Sequence, residues 1–254
     1  MIATPMTVRR YIRDHVGVNA DPPRFPGRWL GGVALVLGPL LMLAGVLLRV
    51  RYHFFFPDQL AAYADHPTLI FAAYSLFLAG NIVLWPAVAT LAQRIAVTKP
   101  VLAVWGGALA TFGLFARTFH AGVDHLAFQL VRVQDLPTAT SAVGDSYGAY
   151  HIMSALSAAI FFGWIVLAVG AWRAGVMGLP RAIALGLMAA LPLGVLKGTT
   201  PLSIVAVAGL AVALVPLGVR VLREGPAPRA RAVVGWTAAV LATIAVMAVV
   251  GTLG

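Results

Sequence analysis

A chain of 254 residues that is 61% hydrophobic and 10% charged does not pack as a soluble domain, which carries about 25% charge. Lipid must cover most of its apolar surface. The formal charge of +10 does not point to nucleic acid, because the basic residues fall mainly in short stretches between apolar runs, the pattern that orients a membrane protein. The lack of cysteine excludes disulfides, thiolate metal centres and cysteine nucleophiles.

In chain order, residues 1–28 hold five arginines and four prolines but no apolar core of the kind a cleavable signal needs. They read as a basic cytoplasmic leader. Seven apolar runs follow: about Trp29–Val50, Thr68–Ala92, Val101–Val131, Tyr147–Trp172, Arg181–Lys197, Pro201–Val219 and Ala232–Leu253. Each approaches the ~20 residues of a spanning helix, the fifth being short. The expected fold is therefore all-α, with residues 29–254 forming a single seven-helix transmembrane domain.

Alternating sides from a cytoplasmic start leaves only Arg49, Arg51, Arg132 and Lys197 among the loop cations on the outer side. The excess of arginine on the other side predicts a cytoplasmic N-terminus and an extracytoplasmic C-terminus. The six tryptophans fall toward the cytoplasmic ends, whereas Tyr52, Tyr63, Tyr147 and Tyr150 fall at the outer face; both residue types favour interfaces. Usage rich in Ala, Val, Arg and Gly and poor in Lys is compatible with a high-GC bacterium, and hence with a multi-pass inner-membrane protein.

With this topology His53, His66, His120, His125 and His151 share the outer side with Asp58, Asp65, Asp124, Asp135 and Asp145. The centre of this set is the third run, where Arg117, His120 and Asp124 fall within about 60° of one another on a helix while His125 points elsewhere. The fourth run opens at the same face with Tyr147, Tyr150, His151 and Ser154. A short connection makes the third and fourth runs antiparallel neighbours, so His151 could meet His120 and Asp124 there. The segment with His53, Phe54, Phe55, Phe56 and Asp58 could cover them.

Arg117 and Asp124 each cost roughly 2.5–3.5 kcal/mol in a membrane. They read either as an ion pair across two turns or as functional groups. His120, Asp124 and His151 form a two-histidine, one-carboxylate set suited to Zn²⁺ or Fe²⁺. Haem between His120 or His125 and His151 is a second cofactor reading. Asn81, near mid-membrane, reads first as a helix-to-helix hydrogen bonder, and Lys197 as a cation snorkelling to the interface.

Seven helices with this orientation resemble the heliorhodopsin arrangement, but Ala232–Leu253 holds no lysine for a retinal Schiff base. His120-x₃-Asp124 is similar to one element of intramembrane CAAX-type proteases, whose paired glutamates are missing, since Glu224 is the only glutamate. Neither family is adopted. The leading expectation is a polar, outward-facing pocket acting on a lipid-like small molecule. As an enzyme it would use His120, Asp124 and His151 to hold a metal and its water, Arg117 to neutralise charge and Tyr147 or Tyr150 to orient the substrate. Without metal, Asp124 would act as general acid with His120 tuning it. The alternatives are an accessory or immunity subunit with a membrane-protein partner and, third, a small-molecule transporter.

Overall fold

The structure, a computed structural model, describes residues 25–147, 152–227 and 229–251. The basic leader up to residue 24, Tyr150 and His151 lie outside these residues, as does the side chain of Ser154. The described residues contain nine α-helices and no strand: α1 Gly27–Leu48, α2 Phe56–Asp65, α3 Pro67–Ala96, α4 Pro100–Val133, α5 Leu136–Ser146, α6 Ile152–Arg173, α7 Leu179–Gly186, α8 Pro201–Arg223 and α9 Ala230–Gly251. Six of them, α1, α3, α4, α6, α8 and α9, are long and apolar enough to cross a membrane, as expected of a multi-pass membrane protein. The chain divides into two units, residues 1–222 and 223–254. The second consists mainly of α9, a helix of 22 residues without proline or charge after Arg231.

Proline sets where many helices begin. Pro57, Pro67, Pro100, Pro137 and Pro180 occupy the first turn of α2, α3, α4, α5 and α7, where the missing N–H costs nothing and the fixed φ suits a helix. Pro201 opens α8 behind Thr200, whose hydroxyl accepts from the Ser203 N–H at 3.1 Å while the Thr200 N–H donates to the Ser203 hydroxyl at 3.2 Å. This reciprocal cap satisfies two donors that a helix start leaves open. Asp135 caps α5 by accepting from the Thr138 N–H at 2.7 Å, and that bond holds its carboxyl below the usual range.

Within the first unit the long helices pack through small residues. At Gly80 of α3 a Cβ would stand 2.7 Å from the Gly38 carbonyl of α1, and at Gly163 of α6 one would stand 2.4 Å from the Ala110 nitrogen of α4. Such approaches let backbones touch where apolar lipid gives helices no hydrophobic reason to associate. The main core runs along α1, α3, α4, α6, α7 and α8 and includes Leu35, Met42, Leu84, Leu114, Trp164 and Leu210. Trp164 is fully buried there, so unlike Trp29, Trp105 and Trp172 it is a packing residue and not part of an interfacial belt. A second cluster of Phe56, Leu60, Tyr63, Ile70, Phe128, Val143 and Leu196 joins α2, α3, α4 and α5 near the ends of the long helices.

The fifth apolar run departs from expectation. Instead of a helix over Arg181–Lys197, α7 stops at Gly186, a 3₁₀ turn covers Leu187–Ala190, and Leu191 turns to extended backbone at φ −70°, ψ 120°. Pro192 explains the break, because it disfavours helical geometry in the residue before it and removes a donor. Gly194, at φ 142°, adopts a conformation open to glycine, and the chain stays non-helical to Thr200. Twelve helical residues rise only about 20 Å at 1.5–2.0 Å each, short of the ~30 Å hydrocarbon core.

Candidate functional site

A helix that ends inside a protein leaves its last carbonyls without helical partners, and each one buried unpaired costs free energy. Arg117, in the middle of α4, meets this need. Its Nη1 donates to the Pro192 carbonyl at 3.0 Å and its Nη2 to the Leu191 carbonyl at 3.0 Å. Two turns further along the same face, the Asp124 carboxylate accepts from the Leu196 N–H. Leu196 has a positive φ of 49°, uncommon for a branched side chain, and its side chain is completely buried. The expected choice between an Arg117–Asp124 ion pair and two functional groups thus has a third outcome: each grips the broken segment's backbone at a different point.

Arg49 joins them from α1. It is 4% exposed, and its guanidinium lies 4.3 Å from the centre of the Tyr74 ring and 4.9 Å from that of Phe77. Each such stack is worth roughly 0.5–2 kcal/mol. The Tyr74 hydroxyl donates to Gln59 Oε1 at 3.0 Å, and Gln59 Nε2 donates to the His53 carbonyl at 2.6 Å. Gln59 has no exposed surface and lies against Gly198, where a Cβ would come within 2.4 Å of its Nε2. The Gly198 N–H in turn donates to the Phe54 carbonyl at 2.8 Å, which ties the far end of the broken segment to the α1–α2 connection.

Lys197 is enclosed rather than snorkelling alone. Its Nζ lies 5.0–5.8 Å from the ring centres of Tyr147, Phe55 and Phe54, and Tyr147 stacks on Phe56 at 4.8 Å. Tyr147, expected to orient a substrate, forms one wall of this aromatic box, and its hydroxyl is buried without a partner.

These groups surround a cavity of about 40 Å³ whose lining includes Arg49, Asn81, Arg117, His120, Asp124 and Lys197. Asn81 Nδ2 donates to the Leu114 carbonyl and the Thr118 hydroxyl, both at 3.0 Å, the helix-to-helix role expected of it. Its Oδ1 is buried with no partner, as are the Nε–H groups of Arg49 and Arg117. His120 Nδ1 lies 2.8 Å from the Ala116 carbonyl. A carbonyl can only accept, so Nδ1 carries the proton and the lone pair of the neutral ring is on Nε2.

Beside the cavity, between α3 and α4, runs a groove of about 440 Å³ that includes Phe71, Ser75, Thr118, His125 and Phe128. Cavity and groove share Tyr74, Leu78, Ala121 and Asp124.

Of the expected site residues, Arg117, His120 and Asp124 therefore line one cavity and Tyr147 stands at its lysine. His125 faces the groove beside Phe71, as the helical angle predicts. His53 pairs at the surface with Asp58 at 3.0 Å, and His66 lies beside Tyr52, so the sidedness of the histidines does not amount to one cluster. Among the described residues, no three His, Asp or Glu side chains come together to hold a metal ion; His151, the third expected ligand, lies outside them. Arg49, Gln59 and the Leu191–Gly198 backbone were missed in the sequence. Leu191-Pro192-Leu-Gly194 was a readable signal for the last of these, but an arginine just after an apolar run reads like any loop cation.

No protein-family model, curated protein or solved structure matches the chain.

Proposed function

We propose that this chain is a seven-crossing bacterial inner-membrane protein that binds an amphiphilic small molecule, its polar head in the Arg49–Arg117–Asp124 cavity and its apolar tail in the α3–α4 groove. The observation that carries the reading is that the two adjacent spaces share Tyr74, Leu78, Ala121 and Asp124 in their linings. A polar hollow side by side with an aromatic-lined groove suits a ligand with one end of each kind. The broken fifth run supplies the seventh crossing, half helical and half extended. Supporting this, Arg181 near its start donates to the Ala213 carbonyl in the middle of α8, whereas Thr199 at its end donates to the Val46 carbonyl late in α1 at 2.8 Å.

Binding is favoured over metal hydrolysis because, among the described residues, no three His, Asp or Glu side chains come together to hold a metal ion. Transport is a second reading with its own support, since irregular backbone lining a polar cavity at membrane depth is how transporters build substrate sites. A fluorescent amphiphile titrated into the purified chain tests the binding claim. Ala121→Trp, which fills the junction of groove and cavity, is expected to weaken binding about tenfold or more; unchanged affinity would overturn the reading.

A further inference from the structure

We infer that the head bound in this cavity is a carboxylate, so that the ligand class is a long-chain fatty acid or a close relative of one. The inference rests on the amphiphile reading and deepens it. Three lines on the charge, the donors and the size of the cavity lead to it.

First, three cations line the cavity, Arg49, Arg117 and Lys197, against the single carboxylate of Asp124. Buried charge without a counter-charge is costly. One further anion reduces that imbalance, whereas a neutral or cationic head leaves or worsens it. Second, Arg49 and Arg117 are 4% and 6% exposed, and each keeps a buried Nε–H with no acceptor. Such donors on two guanidiniums call for an acceptor with more than one oxygen, and planar carboxylates match the guanidinium edge. Arg117 already uses one N–H of each Nη on Pro192 and Leu191, and one Asp124 oxygen accepts from Leu196. Third, the space is small. About 40 Å³ is a few times the space that a single water needs, which favours the smallest of the anionic heads. A carboxylate has three non-hydrogen atoms; a phosphate ester has five.

The experiment is a head-group series on the full chain in a non-ionic detergent: palmitate, hexadecanol, hexadecyl phosphate and acetate, followed by titration calorimetry. Palmitate is expected to bind about tenfold or more tighter than hexadecanol and hexadecyl phosphate, and Arg49→Gln to erase that preference. Equal binding of palmitate and hexadecanol overturns the carboxylate inference and leaves the amphiphile reading standing. Hexadecyl phosphate binding as tightly as palmitate overturns the size argument and with it the assigned class. Acetate binding as tightly as palmitate keeps the anion site but overturns the amphiphile reading. No binding by any of the four overturns both. Should Arg49→Gln not fold, the wild-type ratio of palmitate to hexadecanol still decides the matter, with Arg49→Lys as the charge-preserving check.

Discussion

Arg117 holds two backbone carbonyls at once, and this makes it a structural residue before it is anything else. Its removal leaves the Leu191 and Pro192 carbonyls without these partners. Arg117→Leu is expected to lower stability by about 3–5 kcal/mol, the cost of leaving buried polar partners unpaired, and Arg117→Lys by less, since an ammonium is a single point with no planar fork. Thermal melts in detergent check this; a Leu variant that melts with the wild type would show that water satisfies those carbonyls. How far the site was legible differs residue by residue. Arg117, His120 and Asp124 share a helix, so a rotation of 100° per residue was enough to place them together. Arg49 comes from a different helix end and Gln59 from a connection, and sequence spacing says nothing about contacts between elements.

At the scale of elements, apolar length and proline position located the six long helices, because both act within a single segment. The fifth run was misread over its second half. Its composition is apolar enough for a span, but Pro192 acts on the local backbone against that average. The cost of the break is carried elsewhere, by Arg117, by Asp124 and by the Thr200–Ser203 cap. Close packing of α4 on α6 gives a sharper test of the element scale. Gly163→Leu must displace the Ala110 backbone, 2.4 Å from the new Cβ, whereas Gly122→Ala meets nothing within 4 Å. The first is expected to cost at least 1–3 kcal/mol by overpacking and the second to be close to neutral. Similar melting temperatures for the two variants would contradict the packing described here.

For the whole molecule, the uneven distribution of arginine predicts the orientation and the count of crossings together. A reporter active only outside the cytoplasm, fused after Gly254, should be active, and the same reporter placed in the connection between α8 and α9 should be silent. The reverse pattern would invert the topology, and equal activity at both positions would remove α9 as a crossing. Sidedness alone over-reached with histidine, because sharing a membrane face leaves side chains like His53 and His125 free to point in different directions.

The central claim is that an amphiphile lies in the α3–α4 groove with its head in the arginine-lined cavity. Photo-crosslinking of a fatty acid with a diazirine in its chain to the protein in bilayers, read by peptide mass spectrometry, tests it most directly. The account predicts labels concentrated on Phe71, Leu78, Ala121 and Phe128 and competed away by unlabelled fatty acid. Labels spread evenly over the lipid-facing helices, with no competition, would contradict it.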